Sequence, residues 1–377
     1  MLVFTGFLGA CLLLYGFFIT YLSAGFKRLR FGQKPDRSTL PPFSLIVPYC
    51  NDSAGIASLL PSLESNLESV ASPYQLLFVN DHSLSAERQK VQKLLEASTL
   101  AVAHLDNEGQ PGKKQALRTA YKHVQNDLIV QTDADCILKP SFFQAILRPF
   151  SKPVVTVSLG LVKMIPKPHF WPQFAALDFL SLQASGLSLA AMGWPIMGNG
   201  AAIAYRKELT GLNLPGAHWP SGDDVFLIQH QASLDAKRVA TAPDAQVTTA
   251  APESFKILLN QRIRWGAKTT DYPSLVARLV AIFVAFINAL LVLTFLTPLI
   301  WGLQSLWLAL SGLLLKAFAD YLFLNAFAQA SEQPKQMHGY GFKAMLHPFF
   351  TSFTVLMILG SGKKVSWKGR SAAPVKP

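Results

Sequence analysis

The chain has 377 residues, of which 50% are hydrophobic and 15% are charged. This composition is too apolar for an ordinary soluble protein, so we expect part of the chain to lie in lipid. The net charge of +12 does not indicate a nucleic-acid partner, because much of the excess lies beside apolar segments, where it would meet anionic headgroups. Cys11, Cys50 and Cys136 are odd in number and widely spaced, so they predict neither a disulfide framework nor a zinc site.

The first 26 residues contain no charge and are followed by Lys27, Arg28 and Arg30. That length spans a bilayer of about 30 Å. The run lacks the basic segment before it and the small-residue cleavage site after it that mark a cleaved signal peptide. We therefore expect residues 1–26 to be an uncleaved transmembrane anchor, with the N-terminus outside and the basic flank in the cytoplasm.

Residues 41–268 alternate short apolar runs with amphipathic stretches, which is typical of one α/β domain. We predict buried strands at 44–48, 76–79, 101–104 and 128–131, with helices between them. Polar residues follow three of these strands: Asn51-Asp52, Asn80-Asp81 and Asp133-Ala134-Asp135. Because ligands of open α/β sheets bind beyond the carboxyl ends of the strands, we expect the three acidic sites to share one crevice.

Asp133 and Asp135 are two residues apart directly after a predicted strand. In extended backbone their side chains share a face and can approach one cation. Mg²⁺ or Mn²⁺ is typically held by one or two carboxylates, with phosphate oxygens completing the coordination. The same pattern occurs in solvated turns, but its place after a strand, with Asp81 after another, favours a metal site.

Two further segments suit either a phosphate ligand or a purely structural role. Gly112 predicts a helix start, and the lysines that follow it, Lys113 and Lys114, either neutralise a diphosphate or are solvated. Gly198 and Gly200 precede a short apolar run, which indicates either a close backbone approach to a ligand or a turn into a strand.

Asp223 and Asp224 follow Ser221-Gly222 and precede an apolar run. Helix capping would explain one of the two carboxylates. We favour Asp224 as a general base, because a carboxylate partly buried beside another carboxylate accepts a hydroxyl proton more readily.

Gln261, Arg264 and Trp265 are spaced to share one helical face immediately before the second apolar region. Arg264 can pair with a phosphate through two parallel hydrogen bonds. Trp265 offers a flat platform for a sugar ring or an acceptor. A helix end with only a structural role has no need of this combination.

The second apolar block runs without a charge from Leu279 to Leu315 and continues to about Ala330. It is long enough for two helices, with a turn near Pro298, Gly302 and Gln304. Lys316 and Asp320 are four residues apart within it, and we interpret them as a self-neutralising pair rather than a functional site.

A third stretch, Phe349 to Gly360, is short for a membrane span and predicts a crossing, a re-entrant segment or an interfacial helix. Residues 279–362 form the expected C-terminal membrane region, followed by a basic tail at 363–377. The positive-inside tendency favours a cytoplasmic tail and therefore disfavours a full third crossing.

With these motifs in this order, residues 41–268 resemble the family 2 glycosyltransferases that join a GT-A domain to membrane segments. That group includes cellulose and hyaluronan synthases and ceramide glucosyltransferase. Trp367-Lys368-Gly369-Arg370 also resembles a tail motif of the family. The resemblance implies an α/β fold of GT-A type, a Rossmann-like nucleotide-sugar domain, flanked by transmembrane α-helices.

The resemblance also implies a role for each motif. Uridine contacts fall on Asp52 and Asp81, the D-x-D metal site on Asp133 and Asp135 with Asp135 favoured as the ligand, the catalytic base on Asp224 beside Asp223, and the diphosphate and acceptor contacts of Q-x-x-R-W on Gln261, Arg264 and Trp265. From the residues themselves, we also count Lys113, Lys114 and Asp133 among the candidate donor-binding residues.

Three positions depart from the family pattern. Asn80 stands where the family has an acid, Asp223 replaces the usual glutamate, and Asn51-Asp52 replaces Asn-Glu. The chemistry stays possible, but the departures leave the nucleobase and the sugar open.

The resemblance implies an inverting transfer from a UDP-sugar, with Mg²⁺ or Mn²⁺ and Arg264 stabilising the leaving diphosphate while Asp224 takes a proton from the acceptor hydroxyl. The small number of predicted spans favours a lipid or lipid-linked acceptor. A processive polysaccharide synthase subunit, adding to a growing glycan, and a non-catalytic nucleotide-binding subunit remain the alternatives. We expect an integral protein of the bacterial inner membrane with a cytoplasmic catalytic domain.

Overall fold

The computed structural model describes residues 1–33, 40–212, 214, 216, 219, 222–360, 365–367 and 370–372. The chain divides into two compact units. The first, which we call the sheet unit, comprises Leu29–Ile165 and Gly193–Ala250. The second, the helical unit, comprises Met1–Arg28, Pro166–Met192 and Ala251–Val375.

The sheet unit is a mixed α/β structure. Its strands are β1 (Phe43–Tyr49), β2 (Tyr74–Asn80), β3 (Val102–Asp106), β4 (Leu128–Gln131), β5 (Ile137–Leu138), β6 (Val157–Ile165), β7 (Ile203–Arg206) and β8 (Val239–Ala250). They form one sheet in the order β3-β2-β1-β4-β7-β6-β8-β5.

The helices of the whole described chain are α1 (Leu2–Phe26), α2 (Ser53–Leu67), α3 (Ser85–Ala97), α4 (Lys113–Tyr121), α5 (Phe142–Leu147), α6 (Phe170–Ala191), α7 (Asp223–Leu234), α8 (Phe255–Gly266), α9 (Leu275–Leu293), α10 (Pro298–Trp301), α11 (Leu306–Ala330) and α12 (Tyr340–Gly360). Of these, α2 to α5 and α7 belong to the sheet unit and the others to the helical unit.

The four predicted strands are present as β1 to β4, but the burial expected of the third is wrong: β3 is an edge strand and none of its residues is buried. Every residue of β1 is buried, as expected of a central parallel strand covered on both faces. It pairs in parallel with β2 on one side and β4 on the other, and β2 pairs in parallel with β3. The carboxyl ends of β1, β2 and β4 therefore lie at the same edge of the sheet.

The sheet continues beyond β4 with strands that the sequence pattern did not single out. β7 pairs antiparallel with β4, and β6 pairs antiparallel with β7 and parallel with β8. The turn that carries Gly198 and Gly200 leads directly into β7. This segment is thus placed beside β4, which precedes the Asp133-Asp135 motif.

The helical unit contains five segments that are long and apolar enough to cross a membrane: Leu2–Phe26, Phe170–Ala191, Leu275–Trp301, Leu303–Ala330 and Tyr340–Gly360. The predicted N-terminal helix and the division near Gly302 are confirmed, and Gly302 adopts a positive φ of 78° at the break. The segment Phe170–Ala191 was not predicted as a candidate span.

The expectation of a short third stretch at 349–360 is wrong in its length. α12 begins at Tyr340 and has 21 residues, with Pro348 inside the helix. Lys343 and His347 interrupt the apolar pattern, so the hydrophobic run is shorter than the helix that contains it. In the predicted tail, residues 361–364, 368–369 and 373–377 lie outside the described residues, whereas Arg370 pairs with Trp367 in a short antiparallel ladder.

Lys316 and Asp320 form the predicted pair, with Lys316 Nζ 2.7 Å from Asp320 Oδ2. Both side chains are largely withdrawn from the surface of the helical unit. The Tyr15 hydroxyl donates a hydrogen bond to the other oxygen, Asp320 Oδ1, over 2.6 Å. The carboxylate is therefore satisfied on both oxygens inside the unit.

Candidate active site

Asp52 and Asp81 occupy neighbouring strand ends of the sheet unit. Asp52 follows β1 and caps α2, accepting a hydrogen bond from the Gly55 N–H. Asp81 follows β2 and is buried; its Oδ1 accepts from Asn107 Nδ2 at 2.8 Å and from the Gly112 N–H at 2.9 Å. The Gly112 bond ties this strand end to the start of α4.

The predicted helix start at Gly112 is confirmed, because α4 begins at Lys113. Lys113 forms an ion pair with Asp133 Oδ1. Burial acts to lower the pKa of Lys113, but the carboxylates of Asp133, Asp224 and Asp223 raise it overall. The lysine therefore stays cationic between the D-x-D motif and the later pair of aspartates.

Asp135 lies within the same acidic edge, where Asp135 Oδ2 accepts a hydrogen bond from Thr249 Oγ1 at 3.2 Å. Burial raises the pKa of Asp135, and the neighbouring carboxylates of Asp133 and Asp52 raise it further. Gly55 permits this proximity, since a Cβ there would lie 2.9 Å from the Ala134 carbonyl oxygen. The structure thus brings Asp52, Asp133 and Asp135 together.

This carboxylate set fits a divalent cation that shares its coordination with phosphate oxygens. Mutual repulsion among the carboxylates is the electrostatic condition that a bound cation relieves. Within the described residues there is no cluster of three or more His, Cys, Asp or Glu side chains arranged as a complete metal site. Asp133 and Asp135 would therefore hold Mg²⁺ or Mn²⁺ only as part of a shell that a ligand completes.

Asp223 and Asp224 are the first two residues of α7, and they contact different groups. Gly222 precedes the helix at its N-cap position without a side-chain cap, and Ser221 lies outside the described residues. Asp223 Oδ1 pairs with Lys114 Nζ at 2.9 Å. Asp224 accepts from the Gly200 N–H on Oδ2 at 2.7 Å and from the Val225 N–H on Oδ1 at 2.8 Å. Asp223 is thus neutralised, while Asp224 is oriented by two backbone amides.

Gln131 joins the end of β4 to this aspartate. Its side chain is buried, and Nε2 donates to the Gly200 carbonyl at 2.9 Å. The Tyr205 hydroxyl donates to Gln131 Oε1 at 3.2 Å and lies 2.9 Å from the Tyr121 hydroxyl. This buried chain holds Gly200 in place, and through it Asp224.

A cavity of about 90 Å³ adjoins the two aspartates. Its polar lining includes Lys114, Arg118, Tyr121, Gln131 and Tyr205, and leucines with Phe226 supply much of the rest. Sequence reasoning did not find Gln131 or the two tyrosines. Gln131 directly precedes Thr132-Asp133, and a glutamine ending an otherwise apolar strand is the signal that could have drawn attention to it.

Gln261, Arg264 and Trp265 all lie on α8 in the helical unit, so the predicted shared helix is confirmed. Trp265 is half-buried and its ring centroid is 5.8 Å from that of Phe179 on α6. The intervening Arg262 is buried, and its guanidinium carbon lies 4.6 Å from the Trp265 ring centroid. Sequence reasoning passed over Arg262 because its neighbours carried the motif.

Comparison with known proteins places this arrangement in a family. The family model described as "Glycosyltransferase like family 2" matches residues 41–267, more than half of the chain. An N-acetylglucosaminyltransferase of Bradyrhizobium diazoefficiens is 23% identical over 281 residues, covering 71% of this chain and 57% of that protein. The protein CsbB of Bacillus subtilis is 27% identical over 92 residues, covering 24% of this chain and 28% of CsbB.

The chain thus spans less than two thirds of the length of either curated relative. Among solved structures, the mannosyltransferase PcManGT of Pyrobaculum calidifontis, in complex with GDP-Man and Mn²⁺, matches with a TM-score of 0.55 at 18% identity. That match covers 96% of this chain and 98% of PcManGT, and it establishes the fold. The chain therefore belongs to the family 2 glycosyltransferases and has the GT-A fold.

Proposed function

We propose that this protein is a membrane-bound inverting glycosyltransferase that moves a sugar from a UDP-sugar to a hydroxyl of a lipid or lipid-linked acceptor. The proposed organisation is an anchor at 1–26, a cytoplasmic catalytic domain at 41–268, a membrane region at 279–362 and a basic tail at 363–377. The candidate spans support an integral membrane protein, and we propose the bacterial inner membrane.

The proposal rests on one observation: the acidic pairs Asp133-Asp135 and Asp223-Asp224 approach each other near Gly200. A Cβ placed on Gly200 would lie 3.4 Å from Asp224 Oδ2 and 3.6 Å from Lys113 Nζ. Lys113 in turn pairs with Asp133. The carboxylate pair that we propose for the cation and the proposed base therefore lie close together, which supports transfer from a metal diphosphate donor.

In the proposed reaction, the acceptor oxygen forms a bond to the anomeric carbon as the bond from that carbon to the diphosphate oxygen breaks. Asp224 Oδ1 or Oδ2 receives the acceptor proton, and the diphosphate leaves with the bonding electron pair. Lys113 and Arg264 are proposed to stabilise the charge of the diphosphate, and Gln261 and Trp265 to bind the acceptor side. A divalent cation on Asp135 and Asp133, when bound, supplies further charge neutralisation.

One observation favours a second function, that of a processive polysaccharide synthase subunit. Two segments beyond the anchor and the two clear C-terminal spans of the sequence prediction are long and apolar enough to cross a membrane: Tyr340–Gly360, and Phe170–Ala191, which lies within the proposed catalytic domain. The small number of predicted spans was the reason to favour a lipid acceptor over a polymer channel. A larger number of membrane helices weakens that reason. The size of the product distinguishes the two functions, since single transfer adds one sugar and a synthase makes a polymer.

The test is nucleoside diphosphate release by detergent-purified protein with Mg²⁺ or Mn²⁺, a panel of UDP-sugars and GDP-mannose, and lipid acceptors. Asp224→Asn should lower acceptor-dependent release by about 10²- to 10⁴-fold and leave UDP binding intact. Glu208→Gln, an exposed carboxylate in the same unit, is the matched control and should behave as the wild type. Wild-type protein that binds UDP but releases no diphosphate with any donor and acceptor would contradict the proposal.

A further inference from the structure

Asp178 lies near the middle of α6 and is the one ionisable residue of that helix. Its carboxylate forms an ion pair with Arg262 of α8, and both side chains are about nine-tenths buried. His347 Nε2 of α12 lies 3.1 Å from the other oxygen, Asp178 Oδ1. One buried carboxylate therefore joins three helices of the helical unit.

Arg262 connects this buried cluster to Trp265. Its guanidinium lies over the indole ring at 4.6 Å, within the range of a cation–π contact. Arg262 Nε and Nη1 have no hydrogen-bond partner in the part of the chain that the structure describes. The guanidinium is thus held by Asp178 on one side and by the indole face on another, rather than by a full set of hydrogen bonds.

The residue after Asp178 also contacts the same ring. Phe179 and Trp265 have ring centroids 5.8 Å apart at an interplanar angle of 44°. Consecutive residues of α6 therefore reach Trp265 by two routes, one direct and one through Arg262. Since Trp265 is half-buried, these contacts cover part of the indole and leave the rest accessible.

We propose that Asp178 is a positioning residue for Trp265, acting through Arg262, and that it sets the orientation of the indole that receives the acceptor. The inference rests on the proposed function, in which Trp265 binds the acceptor side. It adds a specificity-determining contact on α6, a helix outside every motif of the family resemblance.

A gain in folding stability does not by itself explain the buried ion pair between Asp178 and Arg262. Replacing a buried ion pair by apolar side chains of similar volume is often neutral or stabilising, whereas removing one partner leaves an unpaired buried charge. The planar guanidinium, unlike an ammonium, can bind a carboxylate and cover an aromatic face together. That double contact is what orientation of Trp265 requires.

The test uses full-length protein labelled with 5-fluorotryptophan in detergent, with a Trp265→Phe variant to assign the Trp265 ¹⁹F resonance. Three variants address the proposal: Asp178→Asn, Arg262→Lys, and Asp178→Leu with Arg262→Met, which removes both charges and preserves packing. The matched control is Asp320→Asn, which also removes a carboxylate from an ion pair buried in the helical unit, but one formed within α11.

All three variants should shift or broaden the Trp265 resonance and raise the acceptor KM by about tenfold, with UDP affinity unchanged. Asp320→Asn should lower thermal stability without either effect. Equal resonances and acceptor KM values in the double variant and the wild type would overturn the proposal. Absence of transfer by the wild type would contradict the proposed function instead, and the ¹⁹F resonances would still decide whether Asp178 positions Trp265.

Discussion

The backbone N–H of Gly200 donates to Asp224 Oδ2 across 2.7 Å, so the candidate base is oriented by a main-chain group rather than by another side chain. The Gly200 carbonyl is held in turn by Gln131 Nε2. Position 200 is therefore fixed through both its donor and its acceptor. The geometry of Asp224 depends on a residue without a side chain.

Gly200→Ala should lower kcat by roughly tenfold to a hundredfold, because the new Cβ would lie 2.9 Å from Gln131 Nε2 and 3.4 Å from Asp224 Oδ2. Gln131 is buried and hydrogen-bonded at both ends, so it cannot move aside freely. Steady-state diphosphate release measures the effect. Gly211→Ala, where a Cβ meets nothing within 4 Å, is the control, and equal kcat values for the two variants would argue against this tight approach.

The buried amide of Gln131 predicts a coupled contribution to stability. Gln131→Leu removes the donor to Gly200 and the acceptor of the Tyr205 hydroxyl, which should cost about 1–3 kcal/mol for the polar groups left unpaired. Tyr205→Phe in the same background should then cost less than in the wild type, with a coupling of about 0.5–3 kcal/mol. Denaturant unfolding of the four proteins gives this cycle. Gln92→Leu, at an exposed hydrogen bond on α3, should change stability by less than about 0.5 kcal/mol.

The two aspartates of the D-x-D motif should differ in their effect on metal-dependent nucleotide binding. Asp135→Asn removes the carboxylate that is not paired with Lys113 and should weaken UDP binding in Mn²⁺ by roughly tenfold or more. Asp133→Asn also releases Lys113 from its ion pair, so the freed ammonium should compensate part of the loss. Calorimetric titration of UDP with and without Mn²⁺ measures both. Equal loss in the two variants would place the cation symmetrically between them.

His104 of β3 predicts a pH dependence of stability. Burial lowers the pKa of this imidazole, Asp106 raises it and Arg88 lowers it again, with a net shift below the ordinary value of 6.5. The unfolded chain therefore binds the proton more readily, so the contribution of His104 to folding is complete above pH 6.5 and is lost as pH falls through the lowered folded pKa.

His104→Gln should consequently show a smaller loss of unfolding free energy than the wild type between about pH 6.5 and the acid side of that transition. The Tyr49 hydroxyl lies 2.6 Å from His104 Nε2, and a glutamine can still meet it. If the free energies of unfolding of the two proteins change equally with pH across this range, His104 does not contribute to the pH dependence of stability. Urea unfolding at a series of pH values supplies the measurement.

Sequence periodicity identified β1, β2 and β4 because each is a short, largely buried apolar run ended by polar residues. It also identified β3, although this edge strand has no buried residue. It also placed Gln261, Arg264 and Trp265 on one helix, since helical spacing is local information. Asp178 could not be identified in this way, because its contacts are not local in sequence. A single acid in an apolar stretch has no local partner, and its partners Arg262 and His347 are 84 and 169 residues away in sequence.

The same limit explains Gln131 and the length of α12. Nothing near Gln131 in sequence reveals that Gly200 lies across the strand pair β4–β7, because that pairing joins residues about 70 positions apart. In α12, Lys343 and His347 broke the hydrophobic run, yet His347 reaches a carboxylate inside the helical unit. Polar residues that are satisfied by tertiary contacts look like helix boundaries when only the sequence is considered.

The Lys316–Asp320 pair lies within the candidate span Leu303–Ala330, and its variants distinguish a structural from a functional role of the two charges. Lys316→Met alone removes the cationic partner of the Asp320 carboxylate and leaves it the hydrogen bond from the Tyr15 hydroxyl. The unpaired buried charge should destabilise the protein by about 3–5 kcal/mol. Adding Asp320→Leu removes the unpaired charge and should restore most of the stability, because an apolar pair of similar volume is tolerated there. Thermal unfolding in detergent measures both. If the double variant regains stability but not sugar transfer, Lys316 and Asp320 take part in function, and our interpretation of them as a self-neutralising pair is wrong.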